Sequence, residues 1–260
     1  MIRLSLVIPA KDKNDPKLKE LLASIEAQDF PKSEMETLVI TEGTSESAKA
    51  IGIRKAKGEV VGILASDNEL MQKDFLSRMC LKDTDLGFIF PTRYYYTKDD
   101  DILNRYFALI GGNDPLCYYM GKNDKHSYFG DEFVNWSGSI GDNGFFIKKS
   151  LIENTDLDNY YHIDNAIEAT AKQGGVGHPN YPIWHKTGGS IFSFFRKRYR
   201  YGLQHAFNKN RRWHLVDFRQ PKDTWRLLCF IFLTLTIIQP LFLSIRGYLK
   251  IRDLAWFLHP

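Results

Sequence analysis

The chain has 260 residues, 43% of them apolar, and a formal charge of +4. That is enough apolar surface for one large domain or two small ones, and too mild a charge for a wholly basic protein. Three cysteines, Cys80, Cys117 and Cys229, stand far apart without C-x-x-C spacing, which speaks against a disulfide framework and a zinc site. Lys and Arg concentrate between Arg196 and Arg226, pointing to a surface for anionic phosphate or lipid, and no nucleic-acid partner is expected.

Leu4 to Pro9 reads as a strand that begins almost at once, without a charged leader and an apolar h-region, so no secretory signal is expected. Asp15 and Pro16 make a helix start, and Leu18, Leu21, Leu22 and Ile25 then recur at the spacing of one buried helical face. Thr37 to Thr41 reads as a second strand ending in Glu42 and Gly43, and Thr44 to Lys57 as a helix stopped by Gly58. Val60 to Ala65 is too short for a helix and too uniformly apolar for a half-exposed strand. It reads as a central parallel strand running out at Asp67, which completes two consecutive βαβ units. A helix over Gln72 to Leu81 and a strand over Leu86 to Phe90 extend this α/β domain of nucleotide-binding type. From Arg93 to Phe146 the chain is irregular and rich in aromatics, among them Tyr94, Tyr95, Tyr118, Tyr128 and Trp136; this is either an acceptor-binding insertion or aromatic packing under long loops.

The stretch EVVGILASDNEL, Glu59 to Leu70, carries the clearest chemical signal. An apolar strand stops at Asp67, and Glu69 follows two positions later. In open α/β sheets ligands sit outside the carboxyl ends of the strands, and hard divalent ions often take only one or two protein carboxylates there. The bland alternative is that Asp67 and Asn68 cap a helix and start a turn.

Leu227 to Ile245 carries no formal charge and is bounded by Arg226 and Arg246. It is long enough to cross a hydrocarbon core of about 30 Å as one helix, although Gln239 and Pro240 leave a kinked, re-entrant or interfacial arrangement open. Lys209, Arg211, Arg212, Arg219, Lys222 and Arg226 precede it, against Arg246, Lys250 and Arg252 after it. The positive-inside bias therefore places the large domain in the cytoplasm of a single-pass membrane protein. The expected organisation is a catalytic domain over 1–205, a basic aromatic segment over 206–226, a transmembrane helix over 227–245 and a short tail over 246–260.

Five stretches in a fixed order carry a resemblance: LSLVIPAKD, LVITEGTSESAKAIGIRKAKGEVVGILASDNEL, GDNGFFIKKSL, the acid in YHIDNAI, and FFRKRYRYG. Over roughly Leu4 to Gly202 the chain resembles a family 2 glycosyltransferase with the GT-A fold, a Rossmann-like mixed sheet between helices. Its tail looks like that of membrane-bound members that use lipid-linked substrates, or of a reduced cellulose synthase. The resemblance implies an inverting hexosyltransferase in glycan biosynthesis. It would take a UDP- or GDP-linked sugar and a divalent cation, Mn²⁺ or Mg²⁺, and serve a lipid-linked or glycan acceptor at the membrane.

Residue by residue, the resemblance gives Pro9, Lys11 and Glu42 to the nucleotide base and ribose, with Glu42 standing where an Asp is usual. Lys49 stands near the usual basic residue of the second helix. Asp67 matches the second acid of the D-x-D metal motif, whose first acid is Ala65 here, leaving Glu69 as either a substitute ligand or an exposed helix-start acid. Asp142 and Asn143 fall where members line the donor sugar and acceptor. Asp164 matches the general base, against a helix-cap reading. His185 is either a metal or diphosphate ligand or a structural histidine. Arg200 is the best candidate to grip diphosphate, in a basic run that also suits anionic lipid. Because Ala65 removes one acid, a catalytically weak nucleotide-sugar-binding scaffold subunit is the competing reading.

Overall fold

The computed structural model describes residues 1–80, 86–91, 94–110, 143–172, 175–177, 181–186, 190–207 and 218–258. They fall into two compact units. The first joins Met1–Tyr95 to Asp124–Lys186, and the second joins Tyr96–Asn123 to Thr187–Pro260. The stretch expected as one domain over 1–205 is thus shared between both units.

The first unit opens with β1 (Leu4–Pro9), α1 (Pro16–Glu26), β2 (Met35–Ile40), α2 (Ser45–Lys55) and β3 (Val60–Ile63). Pro16 opens α1 behind the Asp15 carboxylate, which accepts from the Lys17 N–H at 2.9 Å. Thr44 and Ser47 cap α2 reciprocally. β1 pairs in parallel with β2 on one side and β3 on the other, so both expected βαβ units are present.

β4 (Asn68–Leu70), α3 (Phe75–Met79), β5 (Leu86–Ile89) and β6 (Tyr94–Tyr95) follow, then β7 (Phe145–Lys148), α5 (Lys149–Ile152), α6 (His162–Lys172), β8 (Gly175–Gly177) and β9 (Ile183–His185). The helix α4 (Ile102–Ile110), between β6 and β7 in the chain, belongs to the second unit. The main sheet has the order β2-β1-β3-β7-β5-β8, and a small sheet has the order β4-β9-β6. β7 runs antiparallel to both β3 and β5. The expected all-parallel setting of β3 therefore holds on its β1 side only.

Alternation along the strands builds two apolar layers from one sheet. Leu4, Leu6, Ile8, Val60 and Phe146 pack with α1 and α3. Val7, Val61, Ile63, Phe145 and Ile147 pack on the other face with residues of α2, α5 and α6. Strands buried on both faces read as unbroken apolar runs, which is why the segment before Asp67 looked so uniform. The helix expected over Gln72 to Leu81 shrinks to α3 because the Gln72 and Lys73 carbonyls accept from the Gln28 side chain and the Asp29 N–H, both at 2.9 Å.

The second unit contains α4, α7 (Ile191–Phe207), α8 (Pro221–Leu235), α9 (Ile238–Lys250) and a final 3₁₀ turn, Leu254–Leu258. Phe107 of α4 meets Phe194 of α7 with ring centroids 5.2 Å apart, and Arg105 Nε lies 3.4 Å from Asp253 Oδ1. Burial within this unit pushes the Tyr106 phenol up to about 12. Among the described residues no single helix is long and apolar enough to cross a membrane, and the stretch expected as one span is divided between α8 and α9, which are bent by 74°. The break falls at Thr236 and Ile237, and Ile237 adopts the left-handed conformation with φ 61°.

Helix α2 lies so close to the sheet that a Cβ on Gly52 would stand 2.2 Å from Val7 Cγ1. Gly52→Ala is therefore expected to lower stability by about 1–3 kcal/mol despite the better helix propensity of alanine. Adding Val7→Ala should make room, so urea denaturation of the double variant should show a loss smaller than the sum of the two single losses.

Candidate functional site

The register of β1, β2 and β3 brings their carboxyl ends to one edge. Pro9 pairs with Ile40, and Val7 with Ile63, so Lys11, Glu42 and Asp67 all follow strands that stop at that edge. Lys11 and Glu42 are exposed there. Helices α1 and α2 begin at the same edge because each follows its strand. Helix α6 joins them, since its first N–H, from His162, donates to Glu46 Oε2 in the first turn of α2 at 2.8 Å. Three helix N-termini with their positive dipole ends thus border one edge of the sheet, an environment suited to anions.

Beyond β3 the chain turns on Asn68. Its N–H donates to the Ala65 carbonyl at 3.0 Å, and its side-chain Oδ1 accepts from the Ala65 N–H at 2.9 Å. Its Nδ2 donates to Asn143 Oδ1 at 3.2 Å. Asn143 Nδ2 in turn lies 3.1 Å from the Tyr94 hydroxyl and 3.3 Å from His185 Nδ1. Gly144, at φ 80°, supplies the left-handed backbone that turns Asn143 into β7. The antiparallel pairing of β4 with β9 sets Asn68 opposite His185 and carries the histidine to Asp67, with Nε2 3.4 Å from Oδ2. Both side chains are mostly buried, and the Lys186 N–H donates to the Asp67 carbonyl at 2.8 Å.

A carboxylate and an imidazole at this spacing can share one divalent cation, leaving further positions to phosphate oxygens and water. Among the described residues no group of three or more His, Cys, Asp or Glu side chains could hold a metal ion.

Glu69 lies outside this pair. It sits in β4 rather than at a helix start, and its side chain leaves the strand on the face opposite Asn68. Lys186 Nζ lies 2.5 Å from its Oε2 and 2.8 Å from Glu20 Oε2. The Lys186 ammonium also stands 4.5 Å over the Trp184 ring. A carboxylate already held by an ammonium on the other side of the strand makes a poor ligand, and Glu69 is in this way set apart from Asp67 and His185.

Lys49 is only 2% exposed, with its ammonium 2.9 Å from Glu46 Oε1. It faces the protein interior rather than an open nucleotide site. Asp164 is half-buried in the first turn of α6, two residues after the helix begins. Asp164 thus lies inside the first turn and not at the N-cap position, and the leading N–H goes to Glu46. Arg200 is exposed on α7 in the second unit, and Asp142 lies outside the described residues.

Sequence reasoning saw Tyr94 only as one aromatic among many and Asn68 only as a cap or turn residue, the latter role being the one it fills on Ala65, and it missed Glu46. The capped start of α2 was visible in Thr44 and Ser47, but nothing local told that Glu46 would reach a helix 116 residues away in the chain.

No family model matches the chain, and no curated protein matches it. Among solved structures it is similar to the mannosyltransferase PcManGT from Pyrobaculum calidifontis in complex with GDP-Man and Mn²⁺, at 16% identity over 78% of this chain and 62% of that one, with a TM-score of 0.47. It is similar to S. aureus TarS 1–349 in complex with UDP-GlcNAc at 14% identity over 73% and 62%, with a TM-score of 0.47. A third likeness is to glucosyl-3-phosphoglycerate synthase from Mycobacterium tuberculosis in complex with Mn²⁺ and UDP-Glc, at 11% identity over 78% of each chain, with a TM-score of 0.48. The chain thus spans 62% of the length of the first two, and likenesses at this level assign it no activity or substrate.

Burial pulls the Lys186 ammonium down, but hydrogen bonds and charge from Glu20 and Glu69 outweigh it and leave its value raised. Stability from this cluster is accordingly complete below the unfolded lysine value of about 10.4 and is lost as pH rises through the higher folded value. Lys186→Met should lower the melting temperature at neutral pH and flatten that alkaline limb in a series of thermal melts.

Proposed function

We propose that the chain is a GT-A glycosyltransferase that moves one sugar from a nucleoside diphosphate sugar to a lipid-linked or glycan acceptor, with inversion at the anomeric carbon. The observation that carries this reading is the meeting of Asp67 and His185 at the carboxyl edge of β1, β2 and β3. The helix N-termini around that edge favour the diphosphate that such a donor presents. The acidic and imidazole pair fits Mn²⁺ or Mg²⁺, which when bound neutralises charge on the departing diphosphate.

Pro9, Lys11 and Glu42 border the base and ribose, and a guanidinium such as that of Arg200 suits the diphosphate by its chemistry. Asn143, together with Asp142, borders the sugar and also orients His185 through its amide. Asp164 accepts the proton of the attacking hydroxyl as the new C1–O bond forms and the bond from C1 to the diphosphate oxygen breaks. The charge on the leaving group then stays on the diphosphate, so positioning and electrostatics supply most of the catalysis. A lipid phosphate acceptor is already anionic and needs little from Asp164.

Thermal melts with UDP, GDP and their sugars, with and without Mn²⁺, test the site. A ligand at one hundred times its dissociation constant adds about 2.7 kcal/mol. One nucleotide class should stabilise the protein in an Mn²⁺-dependent way, and Asp67→Ala and His185→Ala should each remove that dependence. Nucleotide stabilisation indifferent to Mn²⁺ and to both variants, with no turnover on any acceptor, would favour the scaffold reading, which the alanine at position 65 motivates.

Asp164→Asn separates the acceptors. Transfer should nearly vanish if the acceptor is a hydroxyl and should persist substantially if it is a phosphate, as read from product formed with each acceptor.

A further inference from the structure

The outer face of the last two helices is apolar where a water-facing helix is polar. On α8, Leu228, Phe232 and Leu235 stand exposed, and on α9, Ile238, Phe242 and Leu249 do. Leu235 reaches 78% exposure and Phe242 60%. Asp223, Ser244 and Gly247 point inward, while Thr234 and Thr236 are exposed and the Thr236 hydroxyl donates to the Phe232 carbonyl of its own helix at 2.9 Å. Asp223 is 5% exposed, Ser244 is fully buried, and a Cβ on Gly247 would lie 2.2 Å from the Trp256 ring of the closing 3₁₀ turn. Helices that cover their polar residues and expose their large apolar ones are built for a non-aqueous surrounding.

Charge follows the same plan. The formal charges nearest the break at Thr236 and Ile237 are Arg226 and Arg246. At 1.5 Å of rise per residue each lies about 15 Å of helix from it, half of a hydrocarbon core about 30 Å thick. Farther out, Arg219 and Lys222 on one arm and Lys250 and Arg252 on the other are exposed. With the arms bent by 74°, each apolar half is one leaflet deep at most. The corner is fixed by Ile237, whose φ of 61° is a costly conformation for a β-branched residue and stops α8 from running on.

We infer that α8, its corner and α9 form a monotopic wedge that seats the chain on one leaflet of a membrane containing anionic lipid. Residues Leu235 to Phe242 enter the acyl layer, and the Arg and Lys residues at both ends lie among lipid phosphates. The chain therefore enters and leaves on the same face. Across α8 and α9 the one carboxylate is Asp223, which is buried, so a second copy of this surface has no anion to offer these cations. Lipid phosphate does.

The test uses the full chain, with flotation on phosphatidylcholine vesicles that contain or lack phosphatidylglycerol. Wild type should float with the anionic vesicles, and Leu235→Asp with Phe242→Asp should weaken this by at least about tenfold. Both positions are exposed, so circular dichroism and the melting temperature should stay close to wild type. Tags at the two termini should be cleaved by protease from the same side of sealed cell-derived vesicles. Termini protected on opposite sides would overturn the wedge in favour of a span. Loss of self-association by the double aspartate variant, with no flotation by wild type, would overturn it in favour of a dimer interface. Neither readout depends on sugar transfer, so the wedge can fail or stand apart from the proposed activity.

Discussion

The amide of Asn68 holds the candidate site together. It is 1% exposed, and its groups bind in three directions: to the Ala65 backbone, to Asn143 and, through the strand it begins, to β9. A buried amide left unpaired costs about 1–3 kcal/mol, so a conformation that satisfies both its oxygen and its nitrogen is strongly selected over alternatives. The tight turn after β3 is closed by that side chain, and the strand that starts at Asn68 pairs with β9 and so brings His185 to Asp67. Tyr94 and Asn143 complete the arrangement by fixing the imidazole from its far side.

A second constraint ties two helices of one layer together at the site's edge. Glu46 binds Lys49 with one oxygen and the start of α6 with the other. A buried ammonium requires a carboxylate nearby, and a helix start requires an acceptor for its free N–H groups. One acid meets both requirements and so places the first turn of α6, with Asp164, beside the first turn of α2. Lys49 thereby has a role in building the edge, where the resemblance suggested a direct hold on the donor.

The two units treat apolar surface in opposite ways. In the first, strands alternate their side chains into two closed layers, and apolar residues such as Phe145 and Phe146 disappear from the surface. In the second, α8 and α9 turn Ser244, Gly247 and Asp223 toward the protein and leave Phe232, Leu235 and Phe242 outside. Composition alone does not distinguish these solutions. A run such as Leu227 to Ile245 fits a straight span, a core helix or a bent surface pair equally well until the backbone at Ile237 is known.

Much of the scaffold was legible because local rules acted alone. Asp15 with Pro16 started α1, Thr44 capped α2, and apolar runs of strand length marked β1, β3 and β5. The acid beyond β3 was visible as the first charge after an apolar run, although the strand itself stops at Ile63, four residues before Asp67. Other features needed distant partners. The antiparallel insertion of β7, the pairing of Glu69 with Lys186, and the shortening of the helix before Cys80 each depend on residues far away in the chain.

By itself, then, the sequence determined the two βαβ units, the position of Asp67 shortly after the third strand and the uncharged run near the carboxyl terminus, because periodicity, caps and charge are local properties. Only the tertiary structure decided which side chains meet. His185 reaches Asp67, Glu69 turns away and the uncharged run breaks in two, because strand register, buried hydrogen bonds and backbone conformation are settled by the whole fold.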